Sequence, residues 1–260
     1  MPRAANLYYH ASDLRPPEHQ AAPPLVLVHG AGGSYLHWPP QVRRLPGLWT
    51  MAVDLPGHGR SAGVGEQTIE DYARRLLAWA EAVGIPSAIW VGHSMGGAIV
   101  QTLALQSPEK VAALGLIATG ARLPVNPKLL ESTAHQATYS LAVETIMRWA
   151  FSPQTPARVK TLAARRMMEV RHTVVYNDFV ACNRFDVSSA LGQITCPTLV
   201  LHGTADRMTP LRFGEFLARE IPHAQLITVP EAGHMVMLER PQLVAEILRR
   251  FAQEVGAAAA

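Results

Sequence analysis

The feature that most constrains the fold is a repeated alternation of short apolar runs with amphipathic segments. Six apolar runs have the length and composition of buried strands, and several end in glycine: LVLVHG, WTMAVDL, AIWVG, VAALGLIAT, PTLVLHG and AQLITVP. Segments with helical periodicity follow several of them, including Thr68–Val83, which Thr68 can cap and Gly84 can end. Strands separated by helices predict an α/β fold, a mostly parallel, doubly wound sheet with helices on both faces.

The alternation breaks between residues 121 and 187. This segment has no clear strand, is rich in methionine and aromatic residues, and shows helical stretches over Leu130–Phe151 and Ala157–His172. The sequence therefore predicts one core made of residues 1–120 and 188–260, with a small helical cap, residues 121–187, inserted between two strands. A polar, proline-rich stretch, RPPEHQAAPP, precedes the first predicted strand, and we expect the alanine-rich tail GAAAA to be frayed.

Composition and charge exclude several classes of function. The 23 basic and 20 acidic residues leave a net charge of +3, and no basic run is long enough to indicate nucleic-acid binding. The apolar runs are too short to span a bilayer, and the first residues do not resemble a secretory signal. With only two cysteines, Cys182 and Cys196, no disulfide framework is expected. We therefore expect a soluble, cytoplasmic protein that binds neither nucleic acid nor membrane.

The stretch IWVGHSMGGAIV contains the pattern G-x-S-x-G at Gly92, Ser94 and Gly96. A predicted strand precedes the serine and a predicted helix, Ser94–Gln106, follows it, which is the context of a nucleophile elbow. The sharp turn would hold the serine in an unfavourable backbone conformation and expose its hydroxyl at the positive end of a helix. A plain N-cap role for Ser94 is the alternative, and only partner residues decide between the two.

Partners for a nucleophilic serine are found by position. A serine hydroxyl needs a histidine to accept its proton, and that histidine needs an acid to fix its tautomer. Asp206 and His234 each come just after a predicted strand, at the same edge of the sheet as Ser94, and the chain order is Ser, Asp, His. We expect Asp54, His58 and His202 to stabilise turns, and the side chain of His93 to point away from the reaction.

The motifs HGAGGS, DLPGHGRS, GHSMGG, HGTADRMTP and EAGHMVMLERP occur in this order. With them the chain resembles the α/β-hydrolase superfamily, in particular small bacterial carboxylesterases with a helical cap. The resemblance implies a Ser94–His234–Asp206 triad, with the backbone N–H groups of Ala31 and Met95 as oxyanion donors. Some relatives place the acid after an earlier strand, near residues 119–121, but no carboxylate occurs there.

The inserted segment would cover the pocket, and candidate substrate-binding residues are Trp149 and Phe179, with Met208 and Met235 beside the triad loops. For each of them simple packing is equally consistent with the sequence. No cofactor and no metal are expected, because neither the HExxH pattern nor a G-x-G-x-x-G turn after a strand is present.

The leading hypothesis is a serine hydrolase that cleaves small to medium apolar carboxylic esters through an acyl-enzyme, working as a monomer or homodimer on a small-molecule ester. A cofactor-free perhydrolase or haloperoxidase could use the same triad. Carbon–carbon bond (diketone) hydrolases commonly have asparagine where this chain has His93. Lactones and thioesters are not separated from esters by residue type, whereas epoxide hydrolases and dehalogenases need an aspartate in place of Ser94. A ligand receptor is the alternative outside enzymes.

Overall fold

The computed structural model describes residues 2–17 and 22–258, and its strands form one eight-stranded sheet. The spatial order is β1-β2-β4-β3-β5-β6-β7-β8. The strands are β1 (Arg3–Ala4), β2 (Leu7–Asp13), β3 (Leu25–Val28), β4 (Trp49–Val53), β5 (Ala88–His93), β6 (Val111–Ile117), β7 (Thr198–Gly203) and β8 (Ala224–Val229). Strands β3 to β8 pair in parallel, which confirms the predicted mostly parallel sheet.

The two strands at the amino terminus were not predicted. Strand β2 pairs antiparallel with β4, with Tyr9 opposite Val53 and Asp13 opposite Trp49, and β1 pairs antiparallel with β2. Strand β2, between β1 and β4, has only a weak alternation of buried and exposed residues, since Tyr9, His10 and Ser12 are all half-buried. Its pairing is therefore set by the neighbouring strand β4 more than by its own pattern.

Both faces of the sheet are buried, as expected for a doubly wound fold. Along β3, Leu25 and Leu27 pack into one apolar core, while Val26 and Val28 pack into the other. All four are at most 1% exposed. A continuous apolar run thus belongs at the centre of the sheet, where helices cover both sides.

The helices of the sheet are α1 (Pro40–Arg43), α2 (Ile69–Val83), α3 (Met95–Gln106), α8 (Arg212–Glu220), α9 (Val236–Glu239) and α10 (Pro241–Ala258). The predicted ends of α2 are confirmed: the Thr68 hydroxyl accepts the N–H of Asp71, and Gly84 closes the helix in the left-handed conformation, with φ 77°. Helix α10 continues to Ala258, so the tail is helical further than expected, and the last two residues lie outside the described part of the chain.

Four helices lie between β6 and β7: α4 (Pro127–Ala134), α5 (Tyr139–Ala150), α6 (Ala157–Met168) and α7 (His172–Arg184). We call them the inserted helices. The predicted stretch Leu130–Phe151 is interrupted at His135, whose backbone is extended. Helix α7 was missed, because its buried face includes Asp178 as well as apolar residues and its apolar period is weak.

Candidate active site

Ser94 occupies the turn between β5 and α3, with φ 52° and ψ −117°. The flanking glycines explain how so tight a turn packs. A Cβ on Gly92 would lie 2.1 Å from the carbonyl oxygen of Gly96, and a Cβ on Gly96 would lie 2.3 Å from the carbonyl oxygen of Val28. Only glycine fits at either position, so the pattern G-x-S-x-G follows from the close approach of β3, β5 and α3.

Hydrogen bonds hold the backbone of Ser94, while its hydroxyl makes no bond to the helix that follows. The Ser94 N–H donates to the carbonyl of Ile117 (2.9 Å), and the Thr119 hydroxyl donates to the carbonyl of Ser94 (2.8 Å). The Ser94 hydroxyl makes no capping hydrogen bond to α3. It opens instead on a pocket that His234 also lines. The simple N-cap interpretation of Ser94 therefore lacks the hydrogen bond that defines it.

His234 and Asp206 form a buried pair beyond the carboxyl ends of β8 and β7. The distance from His234 Nδ1 to Asp206 Oδ2 is 2.9 Å, and the two side chains are 3% and 0% exposed. Because a carboxylate oxygen accepts, Nδ1 carries the proton and Nε2 is free to accept one. This is the tautomer that a general base at Ser94 needs.

Asp206 is held ionised by its surroundings. Its Oδ1 accepts the N–H groups of Met208 (2.8 Å) and Thr209 (2.9 Å), and its Oδ2 also accepts the Thr209 hydroxyl (2.8 Å). Burial alone would raise the pKa of Asp206, but the charge and hydrogen bond of His234 and the bonds from Thr209 outweigh burial, so the pKa is lowered. The carboxylate can therefore stabilise an imidazolium on His234.

Three contacts fix the chain around His234. His93 donates its Nε2–H to the His234 carbonyl (3.0 Å), the Met235 N–H donates to the Ala150 carbonyl (3.1 Å), and the Gly233 N–H donates to Glu239 Oε1 (2.9 Å). The expectation that His93 points away from the reaction is wrong. Its ring lies 4.7 Å from the His234 ring and lines the same pocket, because the turn after β5 sends its side chain towards the last loop.

The loop after β3 provides the second half of the site. Gly30 cannot bear a Cβ, which would lie 2.9 Å from His93 Nδ1, and Ala31 lines the pocket. Among residues 2–17 and 22–258, the N–H groups of Ala31 and Met95 donate to no protein acceptor. The Met95 amide is in addition at the positive end of α3. Both N–H groups are thus without a protein acceptor in the described part of the chain, and Ala31 also lines the pocket.

The pocket is lined mainly by apolar side chains. The sheet and its loops contribute Ala31, His37, His93, Ser94, Met208, Thr209, Phe213, His234 and Met235, and the inserted segment contributes Leu123, Pro124, Val125, Ile146, Met147, Ala150, Ala163, Met167, Phe179 and Cys182. Of the four predicted substrate-binding residues, Phe179, Met208 and Met235 lie in this lining. Trp149 does not. It lines an adjoining groove with Phe179 and Met208, because on α5 it projects from a different face of the helix than Ile146, Met147 and Ala150.

The histidines of the site are buried, and most are neutral. Burial lowers the pKa of His37 to about 4, and burial together with the neighbouring His234 holds the pKa of His93 well below its ordinary value. Each has a buried Nδ1 without a hydrogen-bond partner in the described part of the chain. Both rings are therefore uncharged at neutral pH, and none of the described residues that line the pocket is a lysine or arginine.

Several residues of the site carry no signal in the sequence. Thr209 marked only the start of a helix, yet its hydroxyl binds Asp206 and lies 3.1 Å from His234 Nδ1. His37 gave no signal at all. Asp54 and His202 stabilise turns as predicted: Asp54 accepts the N–H groups of Tyr35 and Arg60, and His202 donates to the Thr209 carbonyl.

Within residues 2–17 and 22–258, no three histidine, cysteine, aspartate or glutamate side chains are grouped so that they could hold a metal ion. None of the helices in the same residues combines the length and the apolar character that crossing a bilayer requires.

Comparison with known proteins adds the family context. The model of the alpha/beta hydrolase family matches residues 25–247. One relative is the dihydrolipoyllysine-residue acetyltransferase component of the acetoin cleaving system of Pseudomonas putida. It is 31% identical over 241 residues, and the match covers 88% of this chain and 63% of that protein. The pimeloyl-(acyl-carrier protein) methyl ester esterase of Vibrio atlanticus is 28% identical over 265 residues, covering 95% of this chain and 98% of that protein. A solved thermophilic esterase superposes with a TM-score of 0.80 at 32% identity, covering 96% and 99% of the two chains.

The backbone strain at Ser94 has a measurable consequence. A non-glycine residue in this conformation carries backbone strain of about 1–3 kcal/mol, which glycine removes. The greater conformational freedom of glycine in the unfolded chain cancels about 0.5–1 kcal/mol of this gain in stability. We expect Ser94→Gly to have a free energy of unfolding about 1 kcal/mol above that of Ser94→Ala, measured by urea denaturation. Ser140, exposed in the first turn of α5, is the control, because its backbone is unstrained and glycine there should be no more stable than alanine. Equal stability of the two Ser94 variants would show that the turn is unstrained.

The buried neutral histidines make stability depend on pH. A group whose folded pKa is depressed is protonated first in the unfolded chain, so its contribution is lost as pH falls below about 6.5. For His37, with a folded pKa of about 4, this amounts to about 2 kcal/mol between pH 7.5 and pH 5. Urea unfolding at both pH values should show that His37→Gln loses about 2 kcal/mol less than the wild type. Parallel pH profiles would contradict the assignment of a neutral His37.

Proposed function

Because this chain belongs to the alpha/beta hydrolase family and is a hydrolase of the esterase type, we propose that it cleaves small to medium apolar carboxylic esters through an acyl-enzyme on Ser94. One observation carries the proposal: His234 lies in the wall of the pocket on which Ser94 opens, and its Nδ1 is bonded to the buried Asp206 carboxylate at 2.9 Å. A nucleophile, a base and an acid that orients the base are thus assembled from three loops at one edge of the sheet.

In the acylation step, Ser94 Oγ attacks the ester carbonyl carbon while His234 Nε2 accepts the hydroxyl proton. The Nδ1–H of His234 stays bonded to Asp206, whose charge stabilises the imidazolium. The carbonyl electron pair moves to oxygen, and the N–H groups of Ala31 and Met95 donate to the resulting oxyanion. Each such donor is worth about 2.7–4 kcal/mol in the transition state.

The tetrahedral intermediate then collapses. The carbon–oxygen bond to the alcohol breaks, and His234 returns its proton to the departing oxygen, which leaves Ser94 acylated. Water attacks the acyl-enzyme with His234 again as base, the oxyanion forms in the same place, and the carboxylic acid leaves with Ser94 restored. Apart from the ester and water, the groups that act in these steps all belong to the chain.

The lining of the pocket supports an apolar, uncharged acyl group. None of its residues within the described chain is an aspartate, glutamate, lysine or arginine. The methionines Met147, Met167, Met208 and Met235 can adjust to acyl groups of different shape. A relative named as a methyl ester esterase and a solved structure named as an esterase are consistent with an ester substrate.

The inserted helices are the cap of this site, and residues 121–187 are the cap domain of a core made of residues 1–120 and 188–260. Support comes from the lining of the pocket, more than half of which residues 121–187 contribute, including Ile146, Met167 and Phe179 on the inserted helices. Phe179, Met208 and Met235 are substrate-binding residues by their position in the lining. Trp149, in the adjoining groove, binds only substrates long enough to leave the pocket.

The proposal is tested by a time course on p-nitrophenyl esters of increasing acyl length. We expect multiple turnovers that peak at a short or medium chain, and losses in kcat of about 10³-fold or more in Ser94→Ala and His234→Ala. Ser140→Ala and His223→Ala are matched controls, since both residues are exposed and His223 lies at the opposite edge of the sheet. Activity that survives Ser94→Ala would reject the nucleophile, and a single turnover without recycling would indicate a receptor.

The uncharged lining predicts discrimination against an acyl carboxylate. Burying an ionised carboxylate without a partner is costly, so kcat/KM for mono-p-nitrophenyl adipate should be at least 10-fold below that for p-nitrophenyl hexanoate, which has the same number of acyl carbons. Met147→Arg places a cation in the lining and should bring kcat/KM for the adipate ester closer to kcat/KM for the hexanoate ester. Equal values of kcat/KM for the two esters in the wild type would contradict the proposed substrate class.

A further inference from the structure

A buried carboxylate on the inserted helices contacts the loop of the proposed oxyanion donor. Asp178, on α7, has a side chain that is 0% exposed. Its Oδ2 accepts the N–H of Gly32 (2.8 Å) and a ring N–H of His58 (2.8 Å), and its Oδ1 accepts the hydroxyl of Tyr72 (2.5 Å). The three donors belong to the loop after β3, the loop after β4 and helix α2. One side chain therefore joins four separate parts of the chain.

The contact with His58 is an ion pair. His58 Nε2 faces the Asp178 carboxylate, and its Nδ1 lies 3.0 Å from the carbonyl oxygen of Pro56. Both neighbours are acceptors, so both ring nitrogens carry protons. Burial would lower the pKa of His58, but the charge and hydrogen bond of Asp178 outweigh it and raise the pKa. A charged imidazolium and a carboxylate thus face each other, both fully buried.

The contact with Gly32 bears on catalysis, because the Gly32 amide adjoins Ala31. Gly32 has φ +62°, and a Cβ there would lie 2.8 Å from Met167 Cε, so the loop passes tightly beneath the inserted helices. The hydrogen bond that the Gly32 N–H donates to Asp178 restrains the plane of the peptide between Ala31 and Gly32. The Ala31 N–H belongs to the preceding peptide, only two backbone dihedrals away, so this restraint also limits the direction in which that N–H can point.

We propose that Asp178 is a positioning residue for the oxyanion-binding loop: through the Gly32 amide it holds the Ala31 N–H in the orientation that an oxyanion requires. The proposal rests on the function proposed above, in which Ala31 is an oxyanion donor. Asp178 touches neither the substrate nor Ser94. Its effect is on the transition state and not on ground-state binding, since the amide it orients is engaged fully only when the carbonyl oxygen becomes charged.

A role in stability alone would leave a different signature. Replacing a buried ion pair by apolar residues of similar volume is often neutral or stabilising, whereas removing one partner leaves a lone buried charge. The double variant His58→Leu/Asp178→Leu removes both charges, keeps the volume, and leaves the Gly32 N–H without its acceptor. Asp178→Asn is the conservative counterpart. Its amide oxygen can still accept from Gly32, while its NH₂ can donate to the Tyr72 hydroxyl.

The experiment compares the wild type, both variants and Tyr72→Phe in p-nitrophenyl ester hydrolysis, with kcat calculated per active serine. Thermal unfolding is measured in parallel so that each assay is run well below the variant's Tm. We expect the double variant to lose at least 10-fold in kcat with KM within threefold of wild type. In Asp178→Asn and Tyr72→Phe, which keep an acceptor for Gly32, kcat should stay within threefold. A trifluoromethyl ketone, which forms an oxyanion on the serine, should lose affinity in the double variant in parallel with kcat/KM.

Three results would overturn the proposal. The first is a folded double variant with wild-type kcat. The second is a double variant in which KM rises and kcat does not change. The third is a loss of kcat in Asp178→Asn equal to that in the double variant, which would assign the effect to the charge. Should the double variant fail to fold, Asp178→Asn and Asp178→Ser decide in its place: the shorter serine cannot reach Gly32 and must lose kcat, whereas asparagine must not. Failure of the proposed function looks different, since the wild type itself would then neither hydrolyse esters nor react with a fluorophosphonate.

Discussion

The site depends on one steric constraint, the close approach of three backbones around Ser94. The carbonyl of Val28, at the end of β3, lies so close to Gly96 that a side chain on Gly96 would clash with it. The carbonyl of Gly96 excludes a side chain on Gly92 in the same way. This packing holds Ser94 in a conformation that few non-glycine residues adopt, with φ 52°. Since β3 also leads into the loop of Ala31, the same contact sets the distance between the nucleophile and one of its proposed oxyanion donors.

Two carboxylates, the buried Asp178 and the half-buried Glu239, connect the inserted helices to two different loops of the site. Asp178 accepts the N–H of Gly32 in the loop after β3. Glu239 accepts the N–H of Gly233 beside His234, and its other oxygen accepts the hydroxyl of Thr155, between α5 and α6. The inserted helices therefore do more than cover an apolar pocket. Their position is coupled by directional bonds to the proposed oxyanion loop and to the loop of the base.

The sequence predicted those parts of the molecule whose determinants are local. The six parallel strands, the caps of α2 and the turn at Ser94 each follow from neighbouring residues, and the order of motifs placed Asp206 and His234 at the same edge. Helix α7 and strand β2 were not predicted, because tertiary pairing overrides their weak periodicity. Asp178 could not be identified as part of the site, since its partner Gly32 lies 146 residues away and neither residue type is unusual.

The charge states of the histidines follow from what each ring nitrogen faces. His58 has an acceptor at both nitrogens and is charged. His93 has one acceptor, its buried Nδ1 has no partner among the residues that the structure describes, and its ring is neutral. The neutrality of His93 matters because its ring is 4.7 Å from His234. A charge there would oppose the transfer of a proton to the proposed base. The same histidine thus fixes the main chain of His234 through its carbonyl and remains uncharged beside it.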